Sequence, residues 1–219
     1  MGYRGKTSYY QFLIGKEETN VELLLIRHGK SEAKGRIAGQ ADFPLSEEGY
    51  QQSKMLADLL KSQGLQHIYC SPLNRAYSTA MIISDSLGLD PIPLHELKER
   101  DAGVFNGMSR REAIELFPSE WEGAWTDPLS APPQGETFED VEKRAENVLH
   151  LLLKQHRKEK VAIVSHSGFL NILMLLLMGL EKEQFPLFKF DVGSVTCLGV
   201  RRPGECLVNY INRVPLALA

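Results

Sequence analysis

Cysteine is scarce in this chain: Cys70, Cys197 and Cys206 are the three present among 219 residues, and none is in CxxC spacing. That excludes a disulfide-built secreted scaffold, and the thiols read as buried or idle in a reducing compartment. An excess of charge of one sign is also missing. The formal net charge is −3, which gives no cationic field for nucleic acid or an anionic membrane, so a bound anion must meet a local cationic site. No apolar run reaches the roughly 20 residues that a bilayer core requires. The nearest, "GFLNILMLLLMGL" at residues 168–180, predicts a helix buried on most faces. "YYQFLI" is too short and too polar for the core of a secretory signal, and Lys6 stands where a myristoylation signal needs serine or threonine. These absences point to a cytoplasmic protein with no membrane and no nucleic-acid partner.

What is present is ordinary in bulk, 43% hydrophobic and 24% charged residues, enough for one sizeable α/β domain. Residues 1–20 read as an N-terminal extension, either loose or carrying an edge strand around Tyr9 to Ile14. From Val21 the pattern is regular. "VELLLI" predicts a central parallel strand. Ser46 caps a helix with Glu47 and Glu48 in its first turn, Met55, Leu56, Leu59 and Leu60 on its apolar face, and Gly64 just past its end. "HIYC" is a short strand, after which Ser71 and Pro72 predict a cap and a first-turn proline for a helix reaching Leu87. A further short strand lies near Ile92. The segment 109–135 is irregular, with one short helix, and leads to a long amphipathic helix bearing Phe138, Val141, Ala145, Val148, Leu149 and Leu152. "KVAIVSHSG" repeats the opening design of apolar strand, histidine, glycine and helix. "VTCLGV" and "CLVNYI" form a hairpin. Strands alternating with helices predict a three-layer α/β sandwich, its mostly parallel central sheet covered by helices on both faces.

Ligands of such sheets bind beyond the carboxyl ends of the strands. There the predicted strands deliver Arg27-His28-Gly29, Ser71 with Arg75 one turn on, Ser165-His166-Ser167-Gly168, and the acids Glu96 and Glu99. A cation in a helix's first turn opposes the dipole unless an anion lies between them. Arg75 is such a cation, and its guanidinium suits the two-pronged hydrogen bonding of phosphate; the plain alternative is a surface arginine paired with an acid. His28 and His166 have the plain alternative of core histidines with satisfied rings. Against it stand their strand-end positions, with Gly29 expected to let the backbone approach a ligand and guanidinium charge expected to keep His28 neutral. No H-x-H, HExxH or clustered cysteine spacing supports zinc, Ser31 and Ser167 lack a G-x-S-x-G setting, and "GKS" lacks the glycine of a P-loop.

"LLLIRHGKSEAKGRIAGQADFPLSEEGYQQS" resembles the signature of the histidine phosphatase superfamily, of phosphoglycerate-mutase-like fold. "SPLNRAYSTA", "ELKERDAGVFNG", "PQGETFEDVEKR" and "VSHSG" resemble its later blocks in the right order, and together they cover roughly Val21 to Val200. The resemblance implies one domain over residues 21–219 with a lid insertion at about 104–135. It implies hydrolysis of a small-molecule phosphate ester, with His28 as the nucleophile that becomes phosphohistidine and Arg27, Arg75 and His166 binding the phosphate. Glu99 would be the general acid and base, with Glu96 and Asp101 as neighbouring candidates. It implies no metal and no organic cofactor. One position departs from the pattern: Lys34 stands where many members carry a phosphate-binding asparagine.

His166-Ser167-Gly168 in place of a mutase-like H-G-N favours a phosphatase. So does a lid, "RREAIELFPSEWEGAWTD", with five acidic against two basic residues, which would repel a second phosphate. A monophosphate with a neutral or aromatic remainder is expected, with Phe105, Trp121 and Trp125 either against it or in the core of the lid. The alternatives are a cofactor-dependent phosphoglycerate mutase and a non-catalytic phosphate-binding protein. Oligomeric state is not legible.

Overall fold

The computed structural model describes residues 19–126, 129–202 and 204–215. The edge strand considered around Tyr9 to Ile14 lies outside them. In chain order the elements are β1 (Val21–Arg27), α1 (Glu47–Leu60), β2 (His67–Cys70), α2 (Asn74–Leu87), β3 (Pro91–Pro93), α3 (Arg110–Leu116), α4 (Pro118–Thr126), α5 (Phe138–Gln155), β4 (Lys160–Ser165), α6 (Ser167–Met178), β5 (Val195–Arg202) and β6 (Glu205–Arg213).

The six strands form one sheet in the order β3-β2-β4-β1-β5-β6. Pairing is parallel from β3 through β1 and antiparallel for β1–β5 and β5–β6. Leu23, Leu25, Val161 and Ile163 face α5 and α6 in one core, and Leu24, Ile26, Ala162 and Val164 face α1 and α2 in the other. This is the three-layer sandwich the sequence predicts. Strand β1 reads as a continuous apolar run because both of its faces are covered.

The six predicted apolar positions of α5 are all buried, and Thr137 with Asp140 closes a capping box at its start. Ser46 caps α1 by accepting from the Gly49 N–H. Helix α6 is buried on most faces, and no helix among the described residues is long and apolar enough to cross a membrane.

Two expectations need correction. Helix α2 starts at Asn74, later than Ser71 and Pro72 imply, and Leu73 at its N-cap makes no side-chain bond. The Ser71 hydroxyl is engaged elsewhere, accepting from Leu73 N and pairing with the His166 ring. Residues 109–135 hold two helices, not one. Ser109 and Glu112 form a capping box for α3, and Pro118 opens α4 directly behind Phe117.

Candidate active site

Strands β1 and β4 run in register from Glu22↔Lys160 to Arg27↔Ser165, so the residues that follow them, His28 and His166, emerge side by side. The His28 N–H donates to Ser165 O at 3.0 Å, and the two imidazole centroids are 5.0 Å apart. β2 flanks β4 and brings Ser71 to His166, whose Nε2 lies 2.8 Å from the serine Oγ. Four segments distant in sequence thus meet because adjacent strands end together.

The His28 ring has a defined tautomer. Its Nδ1 is 2.7 Å from the Gly29 carbonyl, which can only accept, so Nδ1 carries the proton and Nε2 keeps its lone pair. Arg75 Nε donates to that Nε2 at 3.3 Å. The guanidinium, in a side chain only 1% exposed, is held by donation to Ala41 O at 2.8 Å and Gly39 O at 2.7 Å. Arg27 donates to Phe190 O at 2.6 Å. Two buried nitrogens at this site have no partner among the described residues: Arg27 Nε and His166 Nδ1. A buried unpaired donor costs about 1–3 kcal/mol, and an anion reaching both would remove that penalty.

Burial lowers the pKa of His28 from 6.5 to about 3, with Arg75 adding to the shift, Arg27 adding less and the Gly29 carbonyl opposing it. Burial is the larger cause; guanidinium charge, expected from sequence, comes second. His166 is shifted in the same direction, by burial first and then by His28 and the arginines. An unfolded chain takes up a proton near 6.5 that folded His28 refuses until about 3. The unfolded state therefore binds more protons throughout that window, and stability falls as pH falls. Between pH 7 and pH 5 this amounts to about 2 kcal/mol for one such histidine. Urea unfolding in a phosphate-free buffer should show His28→Asn losing that much less stability than wild type over the same interval. Equal losses would mean that the buried imidazole titrates normally.

The three acids separate cleanly. Glu99 accepts from the backbone N–H groups of Gly168 at 3.1 Å and Phe169 at 3.0 Å, in the first turn of α6, and from Arg100 N at 2.9 Å. It lines the same cleft as Arg27, His28 and Arg75. Asp101 is spent on Gly103 N and Asn106 Nδ2, and neither it nor Glu96 lines that cleft. Sequence reasoning missed Gly168 as a determinant. A Cβ there would lie 2.6 Å from Glu99 Oε1, so glycine lets the carboxylate sit on the helix N-terminus. The glycine after "HS" was the available signal. The backbone acceptors of Arg75 had none.

Gly29 is required for a different reason from the one expected. Its N–H donates to Thr79 Oγ1 at 3.1 Å, and a Cβ would meet Gly49 O at 2.4 Å. Close packing of the loop on the first turn of α1, not approach to a ligand, demands the glycine. Lys34 lies at the mouth of the cleft, 80% exposed and paired with Glu32 at 2.9 Å. Its φ of 49° is in the left-handed region, which asparagine enters more readily than lysine. Phe105 is fully buried, edge-on to Phe117 and Trp121, and Arg110 lies over the Trp121 ring. The Trp125 side chain lies outside the described residues.

A neutral imidazole thus stands beside two guanidiniums, a second buried imidazole and a carboxylate, a set of groups suited to a phosphoryl group. The comparisons agree. A model of the histidine phosphatase superfamily (branch 1) matches residues 23–213. Phosphoserine phosphatase 1 of Hydrogenobacter thermophilus is 33% identical over 181 residues, covering 81% of this chain and 86% of that protein. A metal-independent phosphoserine phosphatase of Arabidopsis thaliana is 33% identical over 167 residues, 73% of this chain and 70% of its own. The crystal structure of an alpha-ribazole phosphatase from Shigella flexneri superposes with a TM-score of 0.80 at 27% identity, covering 90% of this chain and 99% of that one. The chain belongs to the histidine phosphatase superfamily, on its phosphatase branch. It acts on a small phosphate monoester by the general mechanism of that family.

Proposed function

We propose that His28 Nε2 attacks the phosphorus of a phosphate monoester whose remainder is apolar, and that Glu99 protonates the departing alcohol. The observation that carries the phosphate assignment is the pair of buried, unpartnered nitrogens, Arg27 Nε and His166 Nδ1, beside the His28 ring. With Arg75 they would hold the phosphoryl oxygens while charge shifts onto them. The Nδ1–H bond to the Gly29 carbonyl supports the ring as it gains positive charge on forming the P–N bond. Glu99, having given its proton, would then take one from the water that hydrolyses the phosphohistidine.

The nature of the remainder is read from a second cavity of about 420 Å³ that shares Gly39 and Glu99 with the phosphate cleft. Ile37, Ala102, Phe105, Pro132, Phe185 and Pro186 supply its apolar lining. The charged groups around the two spaces are already engaged. Lys30 pairs with Glu48, Lys34 with Glu32 and Arg36 with Glu112. Arg100 donates to the carbonyls of Glu136 and Ser130. A second phosphate or a free carboxylate on the substrate would displace one of these partners. We assign residues 104–135 the role of a lid over this space, and three free cysteines fit a cytoplasmic setting.

Phosphate release should be ranked in EDTA for aryl and alkyl monophosphates, phosphoserine and 3-phosphoglycerate. Esters with apolar bodies are expected to exceed phosphoserine at least about tenfold in kcat/KM, the scale of a small apolar group in a fitted pocket. Preference for phosphoserine would overturn the apolar remainder. Isomerisation of 3-phosphoglycerate without release would overturn the phosphatase reading itself.

A further inference from the structure

We propose that His67, His156 and Glu159 form a zinc-binding site at the end of the sheet opposite the phosphate cleft. His67 opens β2, His156 follows α5, and Glu159 directly precedes β4, so the three sit at the amino-terminal edge of adjacent strands. One ligand atom from each lies within 4.8 Å of the others. Glu159 Oε2 is 3.2 Å from His67 Nε2 and 2.7 Å from His156 Nδ1. Ligand atoms about 2.1 Å from a tetrahedral zinc stand about 3.4 Å apart, so Glu159 Oε2 would have to move away from His156 Nδ1 by about 0.7 Å to admit the ion. Two imidazoles with one carboxylate suit zinc, whereas magnesium and calcium favour all-oxygen sites.

The outer bonds are those of a metal-bound imidazole. His156 Nε2 is 2.8 Å from the Tyr69 hydroxyl, which in turn donates to Gln155 Oε1 at 3.3 Å. The bond to the Tyr69 hydroxyl orients the His156 ring so that Nδ1 faces the Glu159 carboxylate at 2.7 Å. A metal between them would also take the facing nitrogen of His67, whose ring lies 4.3 Å from that of His156. Lys160, the neighbouring cation, is turned to Glu22 at 2.9 Å. Bound zinc would tie β2, the end of α5 and the start of β4 together without touching the reaction.

Equilibrium dialysis against zinc chloride, with thermal unfolding of the same samples, tests this in the full chain. One zinc per chain and a raised Tm are expected for wild type and for His28→Ala, which controls for binding at the active-site imidazoles. His67→Ala and Glu159→Gln should lose both the stoichiometric zinc and the rise in Tm while keeping phosphatase activity. Tyr69→Phe should keep the stoichiometry with affinity reduced about 10–100-fold, the usual effect of removing an outer-shell partner. Absence of zinc from wild type, or zinc retained equally by His67→Ala and Glu159→Gln, would overturn the proposal.

Discussion

His28→Ala should lower phosphate release by a factor on the order of 10⁴–10⁶, the scale on which an enzyme loses its covalent nucleophile. The circular dichroism spectrum should be unchanged. The side chain is 6% exposed and sits beyond the end of β1, so its loss leaves the sheet register and both cores intact. Arg75 keeps its bonds to Gly39 and Ala41, and the phosphate cradle therefore survives in the variant. Inorganic phosphate should still protect it against thermal unfolding, which separates a missing nucleophile from a missing site. Wild type quenched during turnover of a labelled ester should carry a label that is stable to base and lost in acid, as a phosphoramidate bond is. Residual turnover within tenfold of wild type, or equal labelling of the variant, would remove His28 from the role.

Glu99→Gln should slow cleavage of alkyl phosphates by about 10²–10⁴, the usual contribution of a positioned general acid. For p-nitrophenyl phosphate the first step should be almost unaffected, because the nitrophenolate leaves without a proton. The second step still needs a base to activate water. The variant should therefore show a burst of about one nitrophenol per chain followed by slow turnover, the kinetic mark of an accumulating covalent intermediate. Glutamine preserves the shape and keeps one acceptor oxygen, which can serve Phe169 N and Arg100 N, while the Gly168 N–H loses its acceptor. If the burst slows as much as alkyl ester cleavage does, Glu99 does not act as an acid.

Much of this protein was legible in its sequence, and the reason lies in periodicity. The short apolar runs of β1 and β4 fit strands covered on both faces, the longer run of α6 fits a buried helix, and the spacing from Phe138 to Leu152 fits one face of a helix. Strand ends then located Arg27, His28 and His166, because a parallel sheet gathers its loops at one edge. The start of α2 and the second helix of residues 109–135 were not legible. In each case a side-chain hydroxyl or a proline can serve two local structures equally well, and tertiary partners decide between them. Ser71 illustrates this: its hydroxyl pairs with His166, far away in the chain, instead of capping the helix beside it.

The sequence by itself determined the layer architecture and the chemical groups available, since both follow from local pattern and residue type. Only the tertiary structure decided which acid faces the cleft, and it did so through a helix N-terminus that Glu99 reaches from about seventy residues away. It also decided the tautomer of His28, through a carbonyl that can only accept, and the neutrality of that ring, through burial more than through charge. The meeting of His67, His156 and Glu159 has the same origin. Strand register brings them together, and register is a property of pairs of strands that no single stretch of sequence contains.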